Sequence, residues 1–165
     1  RLEAEAIRDS LLQIAGTLNR ELHGPSVADL SSPRRSVYLR VKRSELIPFL
    51  TMFDAPEPTQ SVGDRGSTTL PTQALAVMNS LFVRDTAARF SARILAAKHA
   101  TPELAIASAY EQALGRPPTT PEAARMKAFL DAQRQLLAGK PDAPAQAMRE
   151  LCLALLCLNE FIYVD

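Results

Sequence analysis

Apolar residues recur at steps of three and four along most of this chain, and this spacing restricts it to a mainly helical fold. The first example covers residues 2–22, and Gly24-Pro25 follows it as a helix-ending signal. The apolar stripe of this segment consists of Ile7, Leu11, Ile14, Leu18 and Leu22. We therefore predict a first helix over residues 2–22.

Capping signals and the same periodicity predict further helices. Ser44 is expected to cap a short helix that extends to Phe53, with Pro48 in the first turn, where proline is tolerated. Helical periodicity returns between residues 71 and 98 in two pieces, and Asn79-Ser80 is the expected break. The two apolar stripes are Leu75, Met78 and Phe82, followed by Val83, Ala87, Phe90 and Ile94.

The C-terminal half carries two Thr-Pro-Glu openings, at Thr101 and Thr120. Each offers a hydroxyl cap, a proline at the first helical position and an acid where the helix dipole favours it. Gly115 and Gly139 lie where the two helices are expected to end. The last helix follows Pro144 and is apolar almost all round between residues 151 and 158, so we predict that it is the most buried element.

Residues 36–42 break the helical pattern, because they alternate with the two-residue repeat of a half-buried strand. We expect Val37, Leu39 and Val41 to face the core and Tyr38, Arg40 and Lys42 to project from the other face. The partner strand is expected at residues 162–164 or outside this sequence. The predicted fold is therefore a single mainly α domain over residues 1–165. It is a multi-helix bundle with at most a small two-stranded β element and a long ordered loop at residues 54–69.

Composition excludes several classes of function. Nineteen basic and eighteen acidic residues leave a formal charge of +1, so no overall field attracts nucleic acid or an anionic membrane. No apolar run approaches the roughly 20 residues that span a bilayer. His23 and His99 are too few for a conventional metal site, and none is predicted. Cys152 and Cys157 are expected to be buried free thiols.

The basic segment, residues 33–43, is the most informative for function, because it holds five cations and no acid. The cations are Arg34, Arg35, Arg40, Lys42 and Arg43. Beside Tyr38 they could hold a flat anionic ligand, with the ring stacked on it and the cations on phosphate, sulfate or carboxylate. The favoured alternative is structural, in which the cations pair with acids such as Asp54, Glu57 and Asp64.

The loop at residues 54–69 offers a second candidate site. It brings Arg65, Thr68 and Thr69 just ahead of the helix that holds Gln73, and a helix N-terminus with hydroxyls is a ready anion site. The favoured alternative is that Thr68 or Thr69 only caps that helix. Asp54, Glu57 and Asp64 could also supply an acid–base pair, although their spacing in the sequence does not fix their distances.

Several short motifs in order make this chain resemble a known domain. They lie at residues 4–9, 24–27, 35–38, 53–66, 68–75, 114–117 and 158–165. The series is similar to the C-terminal planctomycete surface-protein domain of unknown function. It covers essentially the whole chain.

The resemblance implies an exported protein with an extracytoplasmic location, either periplasmic or at the cell surface. It implies that this chain is the C-terminal part of a larger domain, whose N-terminal portion lies outside the sequence. Upstream domains, one of them similar to cytochrome c, would carry haem c, and no cofactor is expected in this chain. The usual gene context of such proteins, with sulfatases and glycan-degrading systems, implies a link to polysaccharide use.

Two functions remain open at this point. The preferred hypothesis is a non-catalytic interaction or scaffold module that contacts upstream domains of the same polypeptide. The alternative is part of a redox or hydrolytic glycan-active enzyme that holds an anionic sugar through the basic segment and the adjacent loop. Nucleic-acid binding ranks last, since the basic patch is short and the net charge is small.

Overall fold

The computed structural model describes residues 1–59 and 61–164, and within them the chain is mainly α, as predicted. A single turn of 3-10 helix covers Ser36–Tyr38. The described residues contain eight α-helices: α1 (Ala4–Ala15), α2 (Pro48–Met52), α3 (Pro71–Asn79), α4 (Leu81–Ala96), α5 (Pro102–Leu114), α6 (Thr120–Leu136), α7 (Ala143–Leu156) and α8 (Asn159–Ile162).

The pair formed by α4 and α7 is the centre of the bundle, with α1 packed on α4 and α6 packed on α7. The predicted stripe of α4 is confirmed, because its four members are completely buried: Val83, Ala87, Phe90 and Ile94. Helix α7 is buried as predicted, and its innermost residues are Leu151, Cys152, Leu155 and Leu156. Burial of apolar side chains at helical spacing is therefore what positions these two helices.

The predicted helix boundaries hold best where a local cap decides them. Ser80 separates α3 from α4 in extended backbone, as predicted, although its side chain makes no capping bond. The Thr101 hydroxyl accepts a hydrogen bond from the Leu104 N–H at 3.3 Å, and Gly115 ends α5 with φ +71°. At α6 the cap is Thr119 instead of Thr120, since the Glu122 carboxylate accepts the Thr119 N–H at 2.7 Å.

Three helix predictions need correction. Helix α1 stops at Ala15 because Gly16 turns left-handed at φ +73°, and Leu22 is exposed. Helix α2 begins at Pro48 instead of Ser44, because a turn between Lys42 and Glu45 occupies the preceding residues. Helix α6 ends at Leu136, so Gly139 lies beyond its C-cap.

The predicted strand at residues 36–42 is wrong. Residues 36–38 form the 3-10 turn, and Val37 and Val41 are 72% and 66% exposed, so only Leu39 faces the core. The segment touches residue 27 through one isolated bridge, in which Val27 donates to the Tyr38 carbonyl at 2.9 Å. The expected partner, residues 162–164, does not pair with it; the Ile162 carbonyl accepts from the Leu2 N–H at 2.8 Å. The β element is thus reduced, in the described residues, to isolated bridges.

Of the first apolar stripe predicted for residues 71–98, Leu75 and Met78 face outward, whereas Phe82 lies in α4 and packs against the core. Gln73 and Val77 are the buried residues of α3, whereas Leu75 and Met78 are at least half exposed.

Both cysteines are free thiols, as predicted, with Cys152 buried and Cys157 only half-buried. Within residues 1–59 and 61–164, no helix combines the length and apolar character that crossing a bilayer requires.

Candidate functional site

The N-terminal part of the basic segment is taken up by contacts within the chain. The Arg34 guanidinium lies over the Tyr38 ring, 3.7 Å from its centroid, and donates to the carbonyl oxygens of His23 and Pro25. The Tyr38 hydroxyl accepts the His23 N–H at 2.7 Å. The ring that was expected to stack on a ligand therefore has an arginine on one face, and its hydroxyl is bonded to the His23 N–H.

A buried arginine that sequence reasoning missed holds the basic segment in place. Arg8 has no exposed surface and donates to the carbonyl oxygens of Leu30, Ser32 and Arg34 at 2.9, 2.6 and 2.9 Å. Burial lowers the pKa of Arg8, and the neighbouring Asp9 charge opposes that shift. The position of Arg8 in the sequence could have indicated its burial, because it lies one helical turn after Ala4, on the face of α1 that packs on the core.

Asp9 completes this anchor and accounts for Arg35. Its carboxylate accepts the Ser36 N–H at 2.8 Å and the Ser36 hydroxyl at 2.6 Å. The other carboxylate oxygen lies 3.8 Å from the half-exposed Arg35 guanidinium. Arg43 is exposed and forms no ion pair with any residue that the structure describes. For Arg34 and Arg35 the geometry therefore favours the structural interpretation of the basic segment. Arg34 binds carbonyl oxygens, and Arg35 pairs with Asp9 in place of Asp54, Glu57 or Asp64.

Asp54 ties the two ends of the long loop together. It adopts φ +58° and accepts the Thr68 N–H at 2.8 Å and an Arg1 guanidinium N–H at 2.7 Å. These hydrogen bonds, that of the Thr68 N–H first, hold the pKa of Asp54 below its ordinary value. Because the Asp54 carboxylate already occupies the Thr68 donors, it fills the position proposed for a bound anion.

Neither threonine of the loop caps α3. The N-cap residue is Leu70, whose N–H donates to the Gln73 side-chain oxygen at 3.2 Å. The Gln73 amide nitrogen donates to the Met52 carbonyl at 3.0 Å, and Thr69 shares a 2.8 Å hydrogen bond with the Tyr163 hydroxyl. Gln73, Thr68 and Thr69 therefore join the loop to α2, α3 and the C-terminal residues.

Three of the predicted cations do converge on one cavity, here called the Arg40 cavity. It has a volume of about 360 Å³ and lies between residues 40–47, α2 and residues 55–58. Its charged lining consists of Arg40, Lys42, Arg65, Glu5, Glu45 and Glu57. Of the three acids considered for an acid–base pair, Glu57 lines this cavity, whereas Asp54 binds Arg1 and Thr68 and Asp64 does not line the cavity.

Arg116 is a second arginine that the sequence analysis did not single out, and it connects two parts of the fold. Arg116 donates to the Glu122 carboxylate at 2.8 Å and to the Glu160 carboxylate at 2.6 Å. These contacts join the α5–α6 connection to α8, and the arginine holds the pKa of Glu122 far below its ordinary range. In the sequence, Arg116 stood out only as part of the motif at residues 114–117 that supports the resemblance. No cluster of three or more metal-ligating side chains occurs in the part of the chain that the structure describes.

Comparison with known proteins places these features in a family. The family described as "PSD1: Protein of unknown function (DUF1553)" matches residues 1–130, which is most of the chain. The chain belongs to this family. The PSD1 match includes Arg8, Asp54 and the Arg40 cavity, whereas α7 and α8 lie beyond it. No curated protein and no solved structure matches the chain significantly.

Proposed function

We propose that this chain is a non-catalytic interaction module of an exported, haem-bearing multidomain protein, and that it docks onto an upstream domain of the same polypeptide. The observation that carries the proposal is the exposed apolar face of α3 and the start of α4. Its members Leu75, Met78 and Leu81 are 56%, 50% and 84% exposed. Apolar surface of this kind marks an interaction site when several such residues lie together.

The charge pattern of this face supports a permanent partner. No charged residue occurs between Arg65 and Arg84, in a chain of which 22% is charged. Charge-poor apolar contacts are typical of obligate interfaces and of domain cores, whereas transient interfaces are more polar. An upstream domain of the same polypeptide stays near this face at a high effective concentration, and we therefore take such a domain as the partner.

The extracytoplasmic location, the upstream haem c and a link to polysaccharide use rest on the resemblance. The sequence contains no Cys-x-x-Cys-His haem attachment, and its buried Cys152 and half-buried Cys157 do not fit that role. Haem is therefore assigned in this proposal to upstream domains alone.

Methionine oxidation of the full-length polypeptide tests the docking. In this structure Met78 is more exposed than Met52, at 50% against 37%, while Met148 is buried. If an upstream domain covers α3, peroxide will oxidise Met78 more slowly than Met52, and Met148 will serve as the protected reference. Mass spectrometry of each peptide gives the three rates. Oxidation of Met78 at or above the rate of Met52 would sink the proposal.

A second candidate function is binding of an anionic sugar as part of a glycan-active enzyme. The convergence of Arg40, Lys42 and Arg65 on one cavity favours it. The double substitution Arg40→Ala and Lys42→Ala is expected to weaken retention on a sulfated or uronate-rich polysaccharide column while the fold is preserved. Unchanged retention would remove this candidate.

A further inference from the structure

The Arg40 cavity has an apolar floor beneath its charged rim. Leu46, Ile47 and Leu50 contribute from α2 and the residues before it, and Pro56 and Pro58 contribute from the long loop. A volume of about 360 Å³ is within the range of small-molecule sites, which are usually lined by apolar side chains with a few polar groups that orient the ligand. The floor therefore suits a ligand with an apolar body.

Pairing within the rim leaves two charges of opposite sign without partners. Lys42 lies 3.2 Å from the Glu45 carboxylate. Arg65 lies 3.0 Å from Glu5 and 3.1 Å from Glu3. Among the residues that the structure describes, neither Arg40 nor Glu57 forms an ion pair or a side-chain hydrogen bond, although both line the cavity.

We propose that the Arg40 cavity binds a small zwitterion with an apolar body, such as a free amino acid with an aliphatic side chain. Arg40 would hold the ligand carboxylate through charge-assisted hydrogen bonds, and Glu57 would hold its ammonium group. A ligand with only negative charge would leave Glu57 unpaired beside it, so opposite charges on the ligand match this rim better. The inference shares its cavity with the sugar-binding candidate and does not depend on the docking of α3.

Three probes of nearly the same shape separate the charge requirements. L-leucine carries both groups, 4-methylpentanoate lacks the ammonium group, and 3-methylbutylamine lacks the carboxylate. Each is titrated into the ¹⁵N-labelled chain, and the amide chemical shifts of residues 40–47, Ala55 and Glu57 report binding. We expect L-leucine to bind at least about ten-fold more tightly than either singly charged probe, since each lost charge-assisted hydrogen bond has about that effect.

Matched variants assign the two contacts. Arg40→Gln and Glu57→Gln are each expected to weaken L-leucine binding at least about ten-fold. Arg43→Gln, in the same exposed segment but outside the cavity lining, and Glu111→Gln, on the surface of α5, are expected to bind as the wild type does. If 4-methylpentanoate binds as tightly as L-leucine, the site is an anion site; this outcome overturns the inference and favours the sugar-binding candidate. Shifts that are absent with L-leucine, or that both cavity variants retain, also overturn it.

Discussion

Arg8 is the residue whose side chain does most to shape the loops around the candidate site. A charged group without exposed surface is tolerated only when its donors are satisfied, and Arg8 satisfies them with three backbone carbonyls, the Ser36 hydroxyl and the Asp9 carboxylate. The carbonyls lie between 22 and 26 residues further along the chain. A single side chain therefore fixes the backbone at residues 30, 32 and 34, just ahead of the segment that was predicted as a strand.

Substitution of Arg8 measures the contribution of this anchor. Arg8→Met keeps much of the side-chain volume but leaves the carbonyls of residues 30, 32 and 34 without their donor. We expect the free energy of unfolding to fall by about 3 kcal/mol, because several buried acceptors lose hydrogen bonds to a charged group. Urea unfolding followed by circular dichroism gives the value. The control is Arg35→Met, whose half-exposed ion pair with Asp9 should contribute less than about 1 kcal/mol. Equal losses in the two variants would contradict the anchoring role.

The ends of the helices are set by local backbone conformations as well as by packing, and α1 shows this most clearly. Gly16 adopts φ +73° directly after the last helical residue, and the Arg93 side chain donates to the Ile14 carbonyl at the same helix end. A Cβ at residue 16 would come within 2.9 Å of the Arg93 Cδ atom. Helix α5 ends in a similar left-handed glycine, Gly115 at φ +71°, with open space around it.

This pair of glycines separates backbone strain from crowding. Gly115→Ala should cost about 1 kcal/mol of unfolding free energy, since the left-handed conformation disfavours a Cβ. Gly16→Ala carries the same strain and must also displace Arg93, so we expect a loss of about 2 kcal/mol or more. Thermal and urea unfolding of both variants under one set of conditions gives the difference. A Gly16→Ala loss no larger than that of Gly115→Ala would show that Arg93 moves aside freely.

Elements governed by local signals could be predicted from the sequence, and those governed by distant contacts could not. Helices α4 and α5 follow from apolar spacing and caps, which act within one or two turns. The alternation of residues 36–42 indicated a strand, but Arg8 and Asp9 bind that segment from α1, and no spacing pattern encodes such a contact. The convergence of Arg40 and Arg65 likewise depends on the closure of the long loop by Asp54 and Thr68.

At the scale of the whole molecule, stability rests on the layer where α7 packs between α4 and α6. Cys152 lies in that layer with no exposed surface, and burial raises the pKa of its thiol to about 12. Its thiolate, which is the reactive form, is therefore rare near neutral pH while the core is intact. The reactivity of Cys152 should report on the opening of the central layer.

Alkylation of the variant Cys157→Ser by iodoacetamide at pH 8 isolates Cys152. In the native protein we expect labelling to be much slower than in the unfolded chain, because Cys152 has no exposed surface and reacts only when the layer opens. If the bundle unfolds as one unit, the labelling rate will rise with urea at the same midpoint as the loss of helical circular dichroism. The complementary variant, Cys152→Ser, retains the half-buried Cys157 and should react much sooner. Labelling of Cys152 well below the unfolding midpoint would mean that α7 opens separately, and the bundle would then be two cooperative units.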